Sequence, residues 1–462
     1  MADPRIIIVG AGPAGVRAAE VLVKAGVRPT VIDEAAAAGG QIYRRQPLGF
    51  RRSARDLYGT EAKRAVAVHN AFASLLPAID YRAQTLAWDV DGRALRIVAG
   101  TVAETLPFDA LILACGATDR LFPVAGWTRT GTYSLGAAQI ALKAQACSIG
   151  RRVVFMGSGP LLYLVAAQYV KAGAQVAAVL DTSSELNRLR ALPLMASRPD
   201  VLVKGAALLW RLRRAGIPVH RGVTPLAIEG QDAGQGDGRV AALTVRLANG
   251  SFLRTNCDAV ALGYHLRAET QLADLAGCRF DFDHDSRQWL PTTDMDGRSS
   301  VENVYLAGDG VRILGADGAE NAGRLAAMAA LEDLGIANGR ENRSRLRRSQ
   351  KRMDRFRKGL SIAFPWPAHL AKDLDDNTLV CRCETITAGA LRDAACERGA
   401  PEVNRAKAFS RVGMGRCQGR YCGLAGAEIL AATLDIEIDQ VGRLRGQAPI
   451  KPLPVATEVK AG

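Results

Sequence analysis

Apolar and polar positions along this chain repeat in two distinct rhythms. Ile6–Val9 is a continuous apolar run, too short for a helix and stopped by glycine, so it reads as a buried strand. The stretch behind the glycines reads as a helix, and Pro29–Ile32 as a second strand ending in Asp33 and Glu34. Further apolar runs end in glycine or acid in the same way: Phe108–Gly116, Arg152–Gly157, Ala177–Asp181, Ala259–Tyr264 and Asn303–Gly310. Between them, residues 45–75 are helical and basic, short strands alternate over 79–107, and Leu208–Arg214 is a helix with a basic face ahead of a strand at Ile217–His220. The Gly- and Asp-rich stretch Glu229–Gly238 reads as a turn or a disordered tip. Strands alternating with helices predict an α/β protein, and the second strand–glycine–helix unit at Arg152 predicts a second Rossmann-like domain inserted into the first. The expected division is 1–120 with 288–338 for a nucleotide-binding domain, 121–287 for the inserted domain, 339–375 for a linker, 376–445 for a small helical domain and 446–462 for a tail.

The glycines after the first strand, Gly10-Ala-Gly12-Pro13-Ala14-Gly15, have the spacing of a dinucleotide cradle. Gly10 permits the tight turn, Gly12 lets backbone approach a pyrophosphate at the helix N-terminus, and Gly15 lets helix and strand pack closely. Asp33 and Glu34 stand where a carboxylate accepts hydrogen bonds from an adenosine ribose, with Glu34 the preferred partner. Gly39-Gly40-Gln41-Ile42-Tyr43 can bring a second stretch of backbone near a flavin, and the strand reaching Ala114 and Gly116 lines the same end. Gly308-Asp309 places a carboxylate for a ribityl hydroxyl, ahead of a helix whose N-terminus can face an isoalloxazine, which favours FAD over NAD. The second unit, Gly157-Ser-Gly159-Pro-Leu-Leu162, has Leu162 at the third glycine position, so an idle scaffold is favoured there over a working NAD(H) site. If that site works, Asp181 selects NADH by repelling a 2′-phosphate.

Composition narrows the class. A 462-residue chain that is 48% hydrophobic has core enough for two or three domains. No apolar run reaches transmembrane length and no basic, apolar leader precedes the first strand, which predicts a cytoplasmic protein. The net charge of +14 raises nucleic acid as a partner, but Arg340–Lys358 alone holds ten basic and two acidic residues, with one aromatic and no nucleic-acid motif. That segment reads as a solvated helical linker, with docking to an acidic partner surface as the alternative. His220, His265 and His284 are isolated, without metal spacing, and read as surface or packed residues.

Nine cysteines, an odd number in a long chain, argue against a disulfide framework. Four stand in two close pairs, Cys381-Arg-Cys383 and, with thirty-three residues between, Cys417 with Cys422. Structural zinc takes C-x₂-C knuckles, whereas C-x-C with C-x₄-C in glycine-rich loops fits a [2Fe-2S] cluster, whose sulfurs accept backbone N–H bonds. A helix expected from about Leu424 would turn its positive end to that anionic cluster. Cys115, Cys147, Cys257, Cys278 and Cys396 read as core or incidental thiols.

The pieces Gly10–Gly15, Gly39–Tyr43 (GGQIY), Leu306–Gly310, Cys381–Glu384 (CRCE) and Gly413–Gly423 (GMGRCQGRYCG) carry a resemblance over nearly the full length. The chain resembles the alpha-type subunits of heteromeric flavin-dependent amino acid dehydrogenases, of the opine oxidase, D-hydroxyproline dehydrogenase and hydrogen cyanide synthase type. Its last two motifs resemble the bacterioferritin-associated ferredoxin module. The resemblance implies a hetero-oligomer with a beta subunit, similar to a D-amino-acid oxidase, that carries its own FAD and oxidises a small amino acid or opine. In relatives an FMN lies between the subunits, and some relatives hold ATP in place of FAD at the Gly10–Glu34 cradle. This chain is then an electron-transfer subunit, and no residue in it shows the pattern of a catalytic acid–base pair. Two alternatives stay open: a self-contained NAD(P)H-dependent reductase feeding the cluster, and a non-enzymatic iron–sulfur protein with a regulatory nucleotide site.

Overall fold

The computed structural model describes residues 3–231, 238–337 and 342–459. Most of the expected Glu229–Gly238 turn, and Arg340 and Glu341 of the basic segment, lie outside the described residues. Ile6–Val9 is the central strand of a five-stranded parallel sheet in the order 304–306, 110–113, 6–9, 30–32, 80–82. Its unbroken apolar character follows from burial on both faces. Ile6 and Ile8 pack among the helices Pro13–Lys24 and Gly315–Asp333, while Ile7 and Val9 face Ala87, Val90, Leu95 and Ile97 of an antiparallel sheet formed by residues 85–107. The two helices touch through backbone, because a Cβ on Gly323 would lie 2.0 Å from the Ala14 carbonyl oxygen.

The second sheet, also parallel, runs 219–221, 175–181, 152–158, 259–264, 132–134, with a three-stranded antiparallel sheet over residues 224–256 beside it. A short antiparallel pair, Ala117–Asp119 with Leu266–Ala268, is where the chain leaves the first unit and comes back. Among the described residues no helix is long and apolar enough to cross a membrane.

The basic segment forms one helix, Arg343–Ala363, and it is packed rather than free. Met353, Phe356, Gly359 and Ala363 recur at helical spacing and are buried, and a Cβ on Gly359 would come within 2.8 Å of Met195. Its cations find acids elsewhere in the chain: Arg347 binds Asp296, Arg357 binds Asp283 at 2.7 Å, and Arg343 binds Glu332 at 2.8 Å. The solvated-linker expectation therefore gives way to an intramolecular clamp.

The C-terminal unit has a two-stranded ribbon, Leu379–Cys381 with Ile386–Thr387, and helices Ala388–Cys396, Val403–Ser410 and Gly423–Leu434. Val380, Leu391, Val412 and Ile429 share one buried core with Leu262, Tyr264 and Trp366, so the unit is built onto the inserted domain. The tail then crosses to the first domain. Ile450 is buried and donates its N–H to the Trp88 carbonyl at 3.1 Å, and Glu458–Val459 pairs with Val102–Ala103.

Candidate functional site

The first glycine turn is shaped by close backbone approach. A Cβ on Gly10, whose φ is +107°, would lie 2.4 Å from the Ala114 carbonyl oxygen, and one on Gly15 would lie 1.8 Å from the Gly10 carbonyl oxygen. Gly12 differs, because a Cβ there would meet only the Gly40 Cα, at 3.7 Å. Gly12 and Gly40 thus face each other with only the Pro13 ring beside them, next to the N-terminus of the helix that Pro13 and Ala14 begin. That is the form a pyrophosphate needs, so the residues present fit a dinucleotide.

The two acids after the second strand take different roles. Asp33 is committed to the turn: its carboxylate accepts the N–H of Ala11 at 2.5 Å and that of Ala35 at 2.7 Å. Burial pushes its pKa up, and those two N–H bonds oppose the shift. Glu34 is more than half exposed and forms an ion pair with Lys451 of the tail. Of the two acids, Glu34 is the one whose carboxylate reaches the surface. Gln41 is exposed, with its amide oxygen taken by Arg44 at 2.6 Å. Gly116 accepts the N–H of Glu269 at 3.0 Å. Gly308 packs against Ala14 and Ala319, and Asp309 accepts the N–H groups of Leu314 and Gly315 at 3.0 and 3.2 Å, with burial pushing its pKa up to about 6.

The second turn has the same outline and a different content. A Cβ on Gly159 marks where a pyrophosphate would approach, and the ring of His265 stands 3.2 Å from that point. His265 is held there with φ +62°, its Nε2 hydrogen-bonded to the Phe364 carbonyl at 2.7 Å, and burial pushes its pKa down to about 4. Phe364 and Trp366 complete the cover: Arg188 lies over the Phe364 ring at 4.8 Å, and Trp366 packs against Tyr264, Phe122 and the Arg120 guanidinium. Asp181, fully buried, accepts from the Tyr163 hydroxyl at 2.5 Å and from the Ser183 N–H and hydroxyl at 2.7 Å each, and pairs with Arg188. It has no face left for a ribose. Leu162 is also fully buried, in a core with Phe155 and Leu135.

The four C-terminal cysteines come together as two pairs. Cys381 and Cys422 are within hydrogen-bonding reach, as are Cys383 and Cys417. Among the described residues no three His, Cys, Asp or Glu side chains are set to hold a metal ion jointly. Two thiol pairs suit a two-iron centre, in which four thiolates divide between the irons. The contact with Cys422, opposed by burial and aided by the N–H groups of Gly413, Glu384 and Cys383, brings the Cys381 pKa down to about 6. A Cβ on Gly415 would lie 2.1 Å from that of Cys383, and the helix Gly423–Leu434 starts directly after Cys422. The loop therefore offers thiols, backbone N–H groups and a helix N-terminus to one anion. Cys381 and Cys422 are buried and Cys383 is exposed.

A family model described as pyridine nucleotide-disulphide oxidoreductase matches residues 4–330. The chain belongs to that family. A second model, the BFD-like [2Fe-2S] binding domain, matches residues 379–432 and takes in all four cysteines. This member of the oxidoreductase family is 36% identical to the A subunit of opine oxidase from Rhizobium meliloti, over 98% of its own length and 86% of the relative's. It is 30% identical to the HcnB subunit of hydrogen cyanide synthase from Pseudomonas aeruginosa, over 97% of each chain. L-proline dehydrogenase from P. horikoshii shares the fold across 98% of this chain and 79% of its own, with a TM-score of 0.65 at 16% identity. The chain is thus an oxidoreductase with a flavoprotein fold and a [2Fe-2S] module, as its motifs indicate.

Several residues at these sites carry no sequence signal. His265 is an isolated histidine, and Arg267, Glu269 and Gln271 follow it without a motif. The structure puts all four against either the second cradle or the cysteine loop.

Proposed function

We propose that this chain is the electron-transfer subunit of a heteromeric dehydrogenase that oxidises a secondary amine or imino acid, of the opine or D-hydroxyproline type, to an imine. The amine is oxidised at FAD on a partner beta subunit resembling a D-amino-acid oxidase, and the complex works in the cytoplasm. The observation that carries this reading is the closure of the second cradle by His265 and Phe364. A second cradle filled by side chains supports electrons arriving from a donor other than pyridine nucleotide. The opine oxidase and hydrogen cyanide synthase relatives, both similar over nearly the full length, are named as subunits, which supports a partnered enzyme. An exposed apolar row, Leu186, Leu189 and Leu192, followed on the next helix by Val203 and Trp210, suits a chain that works in a complex with that beta subunit.

Within this reading Gly12, Gly40 and Glu34 hold the nucleotide, FAD or ATP, in the first cradle, while Cys381, Cys383, Cys417 and Cys422 ligate the cluster. An FMN belongs at the subunit boundary. When bound, the cluster accepts and passes single electrons. The chain's own residues supply the anchoring: the turn amides face the phosphates, and the loop amides face the sulfurs.

Anaerobic absorbance of the purified chain tests the proposal. Neither NADH nor an amine should bleach the isolated chain rapidly, whereas the chain co-purified with its beta subunit should be bleached by an opine or D-hydroxyproline. Rapid bleaching by NADH alone would hand the case to a self-contained reductase.

A further inference from the structure

One short segment, Arg267–Gln271, touches both the first cradle and the cysteine loop. On its backbone side, the Glu269 N–H donates to the Gly116 carbonyl at 3.0 Å, and the position of a Cβ on Gly310 lies 3.4 Å from the carbonyl oxygens of both Glu269 and Gly116. Both strand-end turns of the cradle therefore rest on Glu269. On its side-chain side, Arg267 donates to the carbonyls of Gly419 and Arg420 at 3.3 and 2.9 Å, and Gln271 donates to that of Gln418 at 2.8 Å. Glu269 holds Arg420 through two bonds of 2.7 and 3.2 Å, and Arg420 in turn donates to the Cys417 carbonyl at 3.3 Å. All four carbonyls from Cys417 to Arg420 are thus held by this small network. Its ion pair is enclosed, with side-chain exposures of 7% for Arg420 and 11% for Glu269.

Two charges in this network matter beyond their bonds. Arg267 lies within electrostatic reach of the sulfurs of Cys417 and Cys422, and Glu269 lies beside Arg267 and Arg420. A cluster that takes up an electron becomes more negative, so a fixed cation nearby favours the reduced form and a fixed anion disfavours it. In a partly dry site such effects are large, because little solvent screens them. Arg347–Asp296 and the other ion pairs of the basic helix are tied into structure far from this loop along the chain.

We propose that Arg267 and Glu269 are positioning residues of the iron–sulfur centre: they fix its loop against the strand-end turns of the first cradle, and their opposite charges set its reduction potential. This rests on the reading that Cys381, Cys383, Cys417 and Cys422 hold a [2Fe-2S] cluster. Glu269→Gln and Arg267→Gln change charge with little change in polarity or reach, and the two predictions have opposite sign. Glu269→Gln should raise the potential and Arg267→Gln should lower it, each by about tenfold in the oxidised-to-reduced ratio at fixed ambient potential, which is about 59 mV for a one-electron couple.

The measurement is an anaerobic, dye-mediated titration of the full-length chain, following the electron paramagnetic resonance signal of the reduced cluster. Arg5→Gln, a change at an exposed residue paired with Asp109, serves as the control and should leave the potential in place. Opposite shifts in the two variants sustain the proposal, since a merely structural role would not reverse sign with charge. Shifts within twofold of wild type, or shifts of the same sign, overturn it. If Arg267→Gln does not retain a cluster, Glu269→Gln decides alone: a raised potential sustains the proposal and an unchanged one overturns it. Wild-type protein without any iron–sulfur signal would instead remove the cluster reading on which the proposal rests.

Discussion

The two cradles of this chain begin alike and end as opposites. Each has a buried parallel strand, a turn with glycines at alternate positions, and a helix opened by proline. In the first, the second glycine faces another glycine, and an acid stands at the surface; in the second, that glycine faces an imidazole, and the acid is fully buried under a tyrosine, a serine and an arginine. The residue content differs as well, since Leu162 stands where the first turn has Gly15, and its side chain is buried in the core with Phe155 and Leu135. The lesson is that a fold can keep the frame of a binding site while the rest of the chain fills it. The clearest difference between the two is the second glycine's neighbour.

The largest expected effect comes from closing the open cradle. Gly12→Val should lower the nucleotide content of purified protein to below about a tenth of wild type, measured on nucleotide released by denaturation, while the iron–sulfur spectrum persists. The backbone tolerates the change, because only Gly40 Cα lies near the added Cβ; full nucleotide content in the variant would move the site elsewhere. Next in size is the reverse experiment. Leu162→Gly restores the glycine spacing of the second turn on paper, yet it should cost about 4 kcal/mol, from the cavity left in a closed core and the added backbone freedom. Urea unfolding followed by circular dichroism reads that loss, and NADH should still not bind, as judged by nicotinamide fluorescence. A variant of wild-type stability that binds NADH would reverse the comparison.

The smallest effect is a pH dependence. His265 has a folded-state pKa of about 4, below the ordinary value of 6.5, because its ring is enclosed. Its contribution to stability is fully present above pH 6.5 and is lost as the pH falls towards 4, amounting to roughly 2 kcal/mol by pH 5. His265→Asn, a residue tolerant of positive φ, should remove this part of the acid sensitivity. Urea midpoints for both proteins at about pH 7 and pH 5 check it, and equal losses in the two would show that the imidazole is not buried neutral.

Much of this is legible because it is local. Apolar runs stopped by glycine identify the strands, glycine spacing identifies the turns, and the cysteine pairs identify the iron–sulfur module, since the residues of each signal lie close together in the chain. The division of labour between Asp33 and Glu34 is less legible, because adjacent acids on a strand end look alike until side-chain alternation turns one inward. The basic helix misleads for a different reason. Three of its cations, Arg343, Arg347 and Arg357, pair with Glu332, Asp296 and Asp283, which lie before it in the chain and carry no mark of the pairing. The same holds for His265, whose partner Phe364 is ninety-nine residues away.

The shared core of Leu262, Tyr264, Trp366, Val380, Leu391 and Ile429 has a consequence for how such a protein is assembled from parts. The iron–sulfur segment is not a cassette. Cutting the chain after Ala363 would not release a shorter reductase; it would bare an oily trough along the inserted domain, and that fragment should clump or be held by chaperones. Nor could the segment be grafted unchanged onto a relative, because Phe364 and Trp366, which carry it across, pack on His265, Tyr264, Phe122 and Arg120 of this chain. Carrying the iron–sulfur loop and filling the second cradle are, in this architecture, a single packing event.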